Sequence, residues 1–312
     1  MKIHFYNGYH NGDIHYSRGF VRHAIDRVKA HRDDVDFYYH HLRHPSLLQD
    51  IDLESSDHFA KIALSPQFAS MQAFALQEME DSLFVNMWVG NGNSSGHKWM
   101  EMGSGCTFMS NAYMWQHALA CIYEWAEIDE DTFGMDDPPR SVLPRVDYDS
   151  YDLEKVRSHL QEADASYRKK VFISNGDVLS GQSINHSFDD LIKNLACEHK
   201  DTVFYHSNPA DLPEMQNVVW TPNVIKCETG CDLNENGYLA SECDIILGRA
   251  SGSFCFAGTE NVFMDESKTM ISSAHNREEA FWYTGGKCKY LHHMPDEGMD
   301  SLFTLVSNEL GA

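Results

Sequence analysis

"KVFISNGDVLSGQS" occupies residues 170–183, and its reading decides the fold. Lys170 to Ser174 is a short apolar run of the kind buried on both faces of a parallel sheet. Asn175 to Ser183 then brings two glycines, two serines and an aspartate, which is loop composition. Beyond it Phe188, Leu191, Ile192 and Leu195 recur at helical spacing, with Ser187 placed to cap the helix. The amino terminus repeats the arrangement. Met1 to Tyr6 reads as a strand, the stretch from Asn7 through Asn11, Gly12 and Asp13 as a loop, and Phe20, Val21, Ala24, Ile25 and Val28 as the inward stripe of a helix. Two strand–loop–helix units facing each other across a cleft are the expectation.

Working outward, strand-like and helix-like segments alternate along the chain, the pattern of an α/β protein with largely parallel sheets. Val35 to Tyr39 and Leu83 to Val89 complete the strands of the first half, followed by an amphipathic stretch from about Phe108 to Ile128. Residues 129–150, broken by prolines and rich in aspartate, read as a linker. A helix from Tyr151 to Arg168 leads into the second half. Its further strands are Val203 to His206, Val218 to Trp220, Asp244 to Leu247 and Thr269 to Ser272, and a helix from Met299 to Leu310 closes it. Domains of 1–150 and 151–312 follow.

Composition narrows the function. The 312 residues, 42% of them apolar, can bury a sizeable core. Against 47 acidic residues stand 24 basic ones, a net charge of −23, which opposes general attraction to nucleic acid or anionic lipid. A phosphate site must then be local, made of backbone N–H groups and a few arginines. There is no membrane-spanning run and no signal-peptide pattern, so the chain reads as cytoplasmic. Eight scattered cysteines do not form a disulfide scaffold, and Cys227, Cys231 and Cys243 lack the spacing and fourth partner of a zinc site. No metal is expected.

Two loops carry candidate chemistry. Ser180, Gly181 and Gln182, with Asn175 before them, lie where the loops of an open parallel sheet bind ligands. The second is "DIILGRASGSFCFA" at 244–257, where a buried strand ends at Gly248-Arg249, Ala250-Ser251-Gly252-Ser253 makes a small-residue turn, and Phe254 starts a helix. The pattern offers amides and a positive helix end to an anion, with Arg249 positioned for a bidentate contact.

These features carry a resemblance. Lys170 to Phe263 resembles the nucleotide-binding half of GT-B-fold glycosyltransferases, and "RASGSFCFA" is similar to the phosphate-binding turn of heptosyltransferase-like enzymes. "GYHNGDIHYSRGF" at 8–20 resembles the acceptor-facing Gly-Asp turn of the same enzymes. That family usually has Asp before its Ser/Thr-Gly and His after it, where this chain has Arg249-Ala250 and Phe254-Cys255. The resemblance implies two Rossmann-like domains and metal-independent transfer of a sugar from a nucleotide-diphosphate donor to a glycan or other hydroxyl acceptor, with no cofactor. It carries a catalytic aspartate onto Asp13, whose carboxylate either takes the acceptor proton or caps the following helix. His10 and His15 flank that turn as secondary candidates for proton transfer or hydroxyl binding.

Two further stretches stand out in the first half. His40, His41 and His44 fall in a cluster that reads as a solvated loop end rather than a metal site, because adjacent histidines point different ways. "WVGNGNSSGHKW" at 88–99 reads as an acceptor loop, with Asn91, Ser95 and His97 as its polar contacts between two tryptophans. A nucleotide-sugar epimerase and a non-catalytic nucleotide-sugar-binding protein are the alternatives on the same scaffold.

Overall fold

Alternating burial defines the first strand, β1 (Lys2–Asn7), whose Ile3 and Phe5 are wholly enclosed while Lys2 and His4 on the opposite face are partly exposed. In the computed structural model, residues 1–7, 10–41, 43–58, 76–87, 108–132, 140–179, 181–275 and 285–311 are described. The chain divides into two compact units, Met1–Arg145 and Val146–Ala312.

In the first unit, β1 lies at the centre of a five-stranded sheet in the order β3-β2-β1-β5-β4. The neighbours are β2 (Asp36–His41), β3 (Ser55–His58) and β5 (Ser82–Asn86), all parallel, while β4 (Leu76–Met79) pairs antiparallel with β5 at the edge. Helix α1 (Asn11–Lys29) follows β1, and α2 (Phe108–Ala126) follows the sheet. Phe20 of α1 sits edge-on to Phe5 at 6.5 Å and stacks on Trp115 of α2 at 5.8 Å, so one aromatic column joins strand and both helices. Gly19 is required here: a Cβ at that position would lie 2.1 Å from the Leu143 carbonyl oxygen. Val142 and Leu143 are wholly buried, so this part of the passage read as linker belongs to the core. Its residues 133–139 lie outside the described residues.

A buried ionic knot also anchors α1. Asp50, with no side-chain exposure, accepts from Arg18 at 2.5 Å and from Arg22 at 2.5 Å, and Arg18 also donates to the Leu47 carbonyl at 3.2 Å. Within the cluster, Arg43 and His44 are exposed, as a solvated loop end would be, but the first two histidines are not. His40 and His41 finish β2 and are buried, His40 sharing a hydrogen bond of 3.0 Å with His4, and His44 accepts from the Ser46 amide to cap a short turn.

The second unit has six parallel strands in the order β11-β10-β9-β6-β7-β8. They are β6 (Lys169–Ser174), β7 (Thr202–His206), β8 (Val218–Trp220), β9 (Ile245–Arg249), β10 (Thr269–Ser273) and β11 (Lys289–His293). The helices are α3 (Glu154–Ser166), α4 (Asp189–Glu198), α5 (Leu233–Ser241), the single turns α6 (Gly252–Cys255) and α7 (Glu260–Phe263), and α8 (Met299–Gly311). Val171, Ile173, Leu247 and Ile271 from the central strands meet Leu195 of α4 and Leu302 and Val306 of α8 in one core. Their continuous apolar runs are the mark of strands covered on both faces. Each unit, taken by itself, is thus a Rossmann-like α/β layer structure. Among the described residues, no helix is long and apolar enough to cross a membrane.

One acid in this unit stands out. Glu235 in the first turn of α5 is 5% exposed, its Oε2 has no hydrogen-bond partner among the described residues, and burial pushes its pKa up to about 7. The folded state therefore holds a proton that the unfolded chain releases near 4.5, and stability falls as pH rises from that value to about 7. Glu235→Gln is expected to match the wild type at about pH 4 and to exceed it by roughly 2 kcal/mol at about pH 8, allowing for screening. Urea denaturation at the two pH values measures this, and equal effects at both would contradict it.

Candidate functional site

Strand order places the site. From β6 the chain winds outward through β7 and β8, then returns to lay β9 against the other side of β6 and winds outward again through β10 and β11. The loops leaving the adjacent carboxyl ends of β6 and β9 therefore run in opposite directions, opening a crevice between them. This is the topological switch point at which open α/β sheets take their ligands.

The wall after β6 is a built loop. Asn185 closes it by pairing with the Val178 backbone in both senses, accepting from its amide at 2.8 Å and donating to its carbonyl at 3.2 Å. Asn175 ties the same loop to the end of β7. Its Oδ1 accepts from the Asn208 amide at 2.8 Å and its Nδ2 donates to the Asn208 carbonyl at 3.0 Å. Gly181, with φ of +74°, occupies the left-handed turn at the loop's far point. The Gln182 carbonyl accepts from the His275 amide at 2.9 Å. Ser187 accepts from the Asp189 amide at 3.1 Å just ahead of α4, whose N-cap is Phe188 and not the serine expected there.

On the β9 side, a chain of hydroxyls runs from Ser174 to Ser253 (3.2 Å) to Ser251 (3.0 Å), and Ser251 caps α6 by accepting from the Phe254 amide at 3.3 Å. The helix expected here is a single turn, Gly252–Cys255, whose first amides, those of Gly252 and Ser253, are left without intrahelical acceptors. Arg249 corrects the sequence reading. Its side chain is buried and turned onto main-chain carbonyls instead of outward to a bidentate anion.

A pocket of about 560 Å³ opens at this edge, lined by Asn175, Asp177, Asn185, Ser187, Phe188 and Arg249, with Asp189 and Asp211 also bordering it. Of the residues expected at the donor site, Asn175 and Arg249 line it. Gly181, Gln182, Ser251, Gly252 and Ser253 do not, and Ser180 lies outside the described residues. Sequence reading missed Asp177, Asn185 and Asp211. Asn185 had a signal, since Asn and Asp in a strand-to-helix loop close turns through their side chains. The lining offers three carboxylates as acceptors for hydroxyl hydrogens, while the Arg249 guanidinium is engaged by main-chain carbonyls, a set suited to a polyhydroxylated ligand.

In the first unit the Gly-Asp turn is already helix. Asp13 stands in the first turn of α1, where its Oδ2 accepts from the His10 amide at 3.2 Å, and the His10 ring lies 3.8 Å away. The capping reading is thus realised, and the carboxylate keeps 22% of its side-chain surface exposed. Burial raises its pKa above the ordinary carboxylate value, against the opposing pull of His10. His10 is half exposed beside it. His15 is wholly buried and receives the Arg18 guanidinium at 3.3 Å. Asn91, Ser95 and His97 lie outside the described residues. Among the described residues, no group of three His, Cys, Asp or Glu side chains is placed to hold a metal ion.

Fold and pocket together define a class: an α/β protein whose second unit is a doubly wound sheet with a polar crevice at its switch point. Neither a scan against protein-family models nor a search of curated proteins finds a match. Among solved structures the chain is similar to the E. coli heptosyltransferase WaaC with ADP, at 12% identity and a TM-score of 0.49, covering 99% of this chain and 100% of that one. It is similar also to E. coli ADP-heptose lps heptosyltransferase II (12%, TM-score 0.46, 99% of each chain). A third is a glycosyl transferase family 9 protein from Veillonella parvula (11%, TM-score 0.45, 99% of this chain and 89% of that one). Heptosyltransferases, the family expected from the two turns, are thus among the structures this chain is similar to. At these identities the likeness is one of fold alone.

Proposed function

We propose that the chain is a glycosyltransferase that moves a sugar from a nucleotide-diphosphate donor to a hydroxyl acceptor, a glycan or similar molecule, and works in the cytoplasm without a metal. The observation that carries this reading is the crevice at the β6/β9 switch point, walled by a self-closed loop and lined by the carboxylates of Asp177, Asp189 and Asp211. In the proposed complex Asp177, Asp189 and Asp211 accept hydrogen bonds from donor hydroxyls. The amides of Gly252 and Ser253, with the Ser174–Ser253–Ser251 hydroxyls, stabilise the charge that grows on the departing diphosphate.

Asp13 serves as the base in this reading. Joining a sugar to a hydroxyl requires that the hydroxyl proton leave as the new C–O bond forms, and a carboxylate accepts it. The raised pKa of Asp13 makes it a better proton acceptor than an ordinary aspartate. With a net charge of −23, a nucleic-acid acceptor is disfavoured.

A thermal-shift panel of nucleoside diphosphates and nucleotide sugars tests the donor half. A ligand at about a hundred times its Kd adds roughly 2.7 kcal/mol of stability. At least one member is expected to raise Tm by several degrees, and a flat panel would overturn the reading. Product analysis tests the other half: the sugar should appear on the acceptor, whereas release of an epimerised sugar would keep the donor site and refute transfer.

A further inference from the structure

Arg249 is 2% exposed, and among the described residues it forms no ion pair. Its donors go to the main chain. Nη1 donates to the carbonyls of Asn175 at 2.6 Å and Gly176 at 2.8 Å, and Nη2 donates to the carbonyl of His186. Asn175 and Gly176 are the first residues after β6, and His186 stands just before α4, so one rigid fork holds both ends of the loop that walls the pocket. The guanidinium also lies over the Phe188 ring at 4.3 Å, which fixes the fork against the base of α4. A buried cation held by carbonyls, with Nε unpartnered among the described residues and only the charge of Asp177 named as favouring it, is costly for stability, and a hydrophobic side chain of similar volume would fill the space at less cost. What the arginine adds is geometry: Nη1 and Nη2, fixed in one plane, reach three carbonyls at the two ends of the loop.

We propose that Arg249 is a positioning residue for the donor: it holds the 175–187 loop closed around the pocket and so sets donor affinity through the shape of that loop, without touching the reacting sugar. The proposal rests on the donor reading above. Asn185 shuts the loop internally and Asn175 moors it to β7, while Arg249 bridges the loop's two ends to β9 on the other side of the crevice. Loss of the fork lets the ends part. Binding then draws on the minority of molecules in which the loop is closed, and apparent affinity falls by that fraction while the chemistry of the bound donor is unchanged.

The test uses Arg249→Met and Arg249→Lys in the full chain. Hydrogen exchange is followed at the Val178 amide, which is held by Asn185, and at the Asn208 amide, which is held by Asn175. In Arg249→Met both should exchange faster while the β6 and β9 amides keep their protection. A loop closed about a tenth of the time would raise the donor KM about tenfold and leave kcat within about threefold. Arg249→Lys, whose compact ammonium reaches one end of the loop but not both, should fall between. It also serves as the readable variant if the methionine protein does not fold. Unchanged exchange of Val178 and Asn208 in a folded variant overturns the clasp, as does an equal fall in kcat and kcat/KM with KM constant. If the wild type turns over no nucleotide sugar, the transferase reading fails, and exchange alone decides the clasp.

Discussion

Asp50→Ala is expected to lower the stability of the chain by about 3–5 kcal/mol, because it strips the counter-charge from two guanidinium groups held inside the first unit. Arg18 and Asp50 have no side-chain exposure, and Arg22 retains only 17%. Neither arginine can return to water without moving α1 away from the turn at 45–50, which Arg18 also grips through the Leu47 carbonyl. The consequence reaches the candidate base, since Asp13 stands one turn from Arg18 on the same helix. Urea denaturation measures the loss. Asp50→Asn should cost less, as the amide oxygen keeps one acceptor, and a loss below about 1 kcal/mol for the alanine variant would refute the buried-knot account.

Asp13→Asn should cut transfer by about 10²- to 10⁴-fold while leaving donor binding intact. The substitution separates two roles that one carboxylate holds. Asparagine retains an oxygen for the His10 amide, so the helix start survives, but it cannot take a proton. Stability at neutral pH should not fall. A carboxyl whose pKa is raised by burial weakens the folded state as pH climbs above its unfolded value, and the amide removes that penalty. The same upward shift places the acid limb of kcat/KM above the ordinary aspartate range. Unchanged turnover in Asp13→Asn would leave the residue a cap and nothing more.

The central strands and the long helices were legible because their signals are local. β1 alternates apolar and polar residues, β6 and β9 carry short apolar runs, and α1, α2 and α8 show a one-sided stripe over several turns. The edges were not. Ser55–His58, Leu76–Met79 and Lys289–His293 are short and carry few β-branched residues, and they are strands only because a neighbour's backbone pairs with them. Helix α5, with Asn234 and Asn236 buried near its start, was missed for a related reason, since tertiary burial overrides its weak propensity. The onset of α1 at Asn11 was hidden by Gly12 and Asp13, which look like a turn until the Asp13 carboxylate is seen to meet the His10 amide.

At the site, the strand-to-loop transition could be found and the direction of Arg249 could not. Its carbonyl partners stand 63 to 74 residues earlier in the chain, and nothing in "GRASGS" announces them. Burial of a lone arginine also runs against the usual expectation that a cation beside a small-residue turn faces solvent or a ligand. The pocket itself borrows Asp211 from the loop after β7, a contribution that appears only once β7 is laid beside β6.

The account stands most directly on the occupant of one crevice. A crystal structure of the full chain with the nucleoside diphosphate that stabilises it most should show the nucleotide between the 175–189 loop and the end of β9, against Phe188 and Asp211, with the diphosphate at Gly252 and Ser253. Density for the nucleotide at any other place on the chain, with this crevice filled by solvent alone, would contradict it.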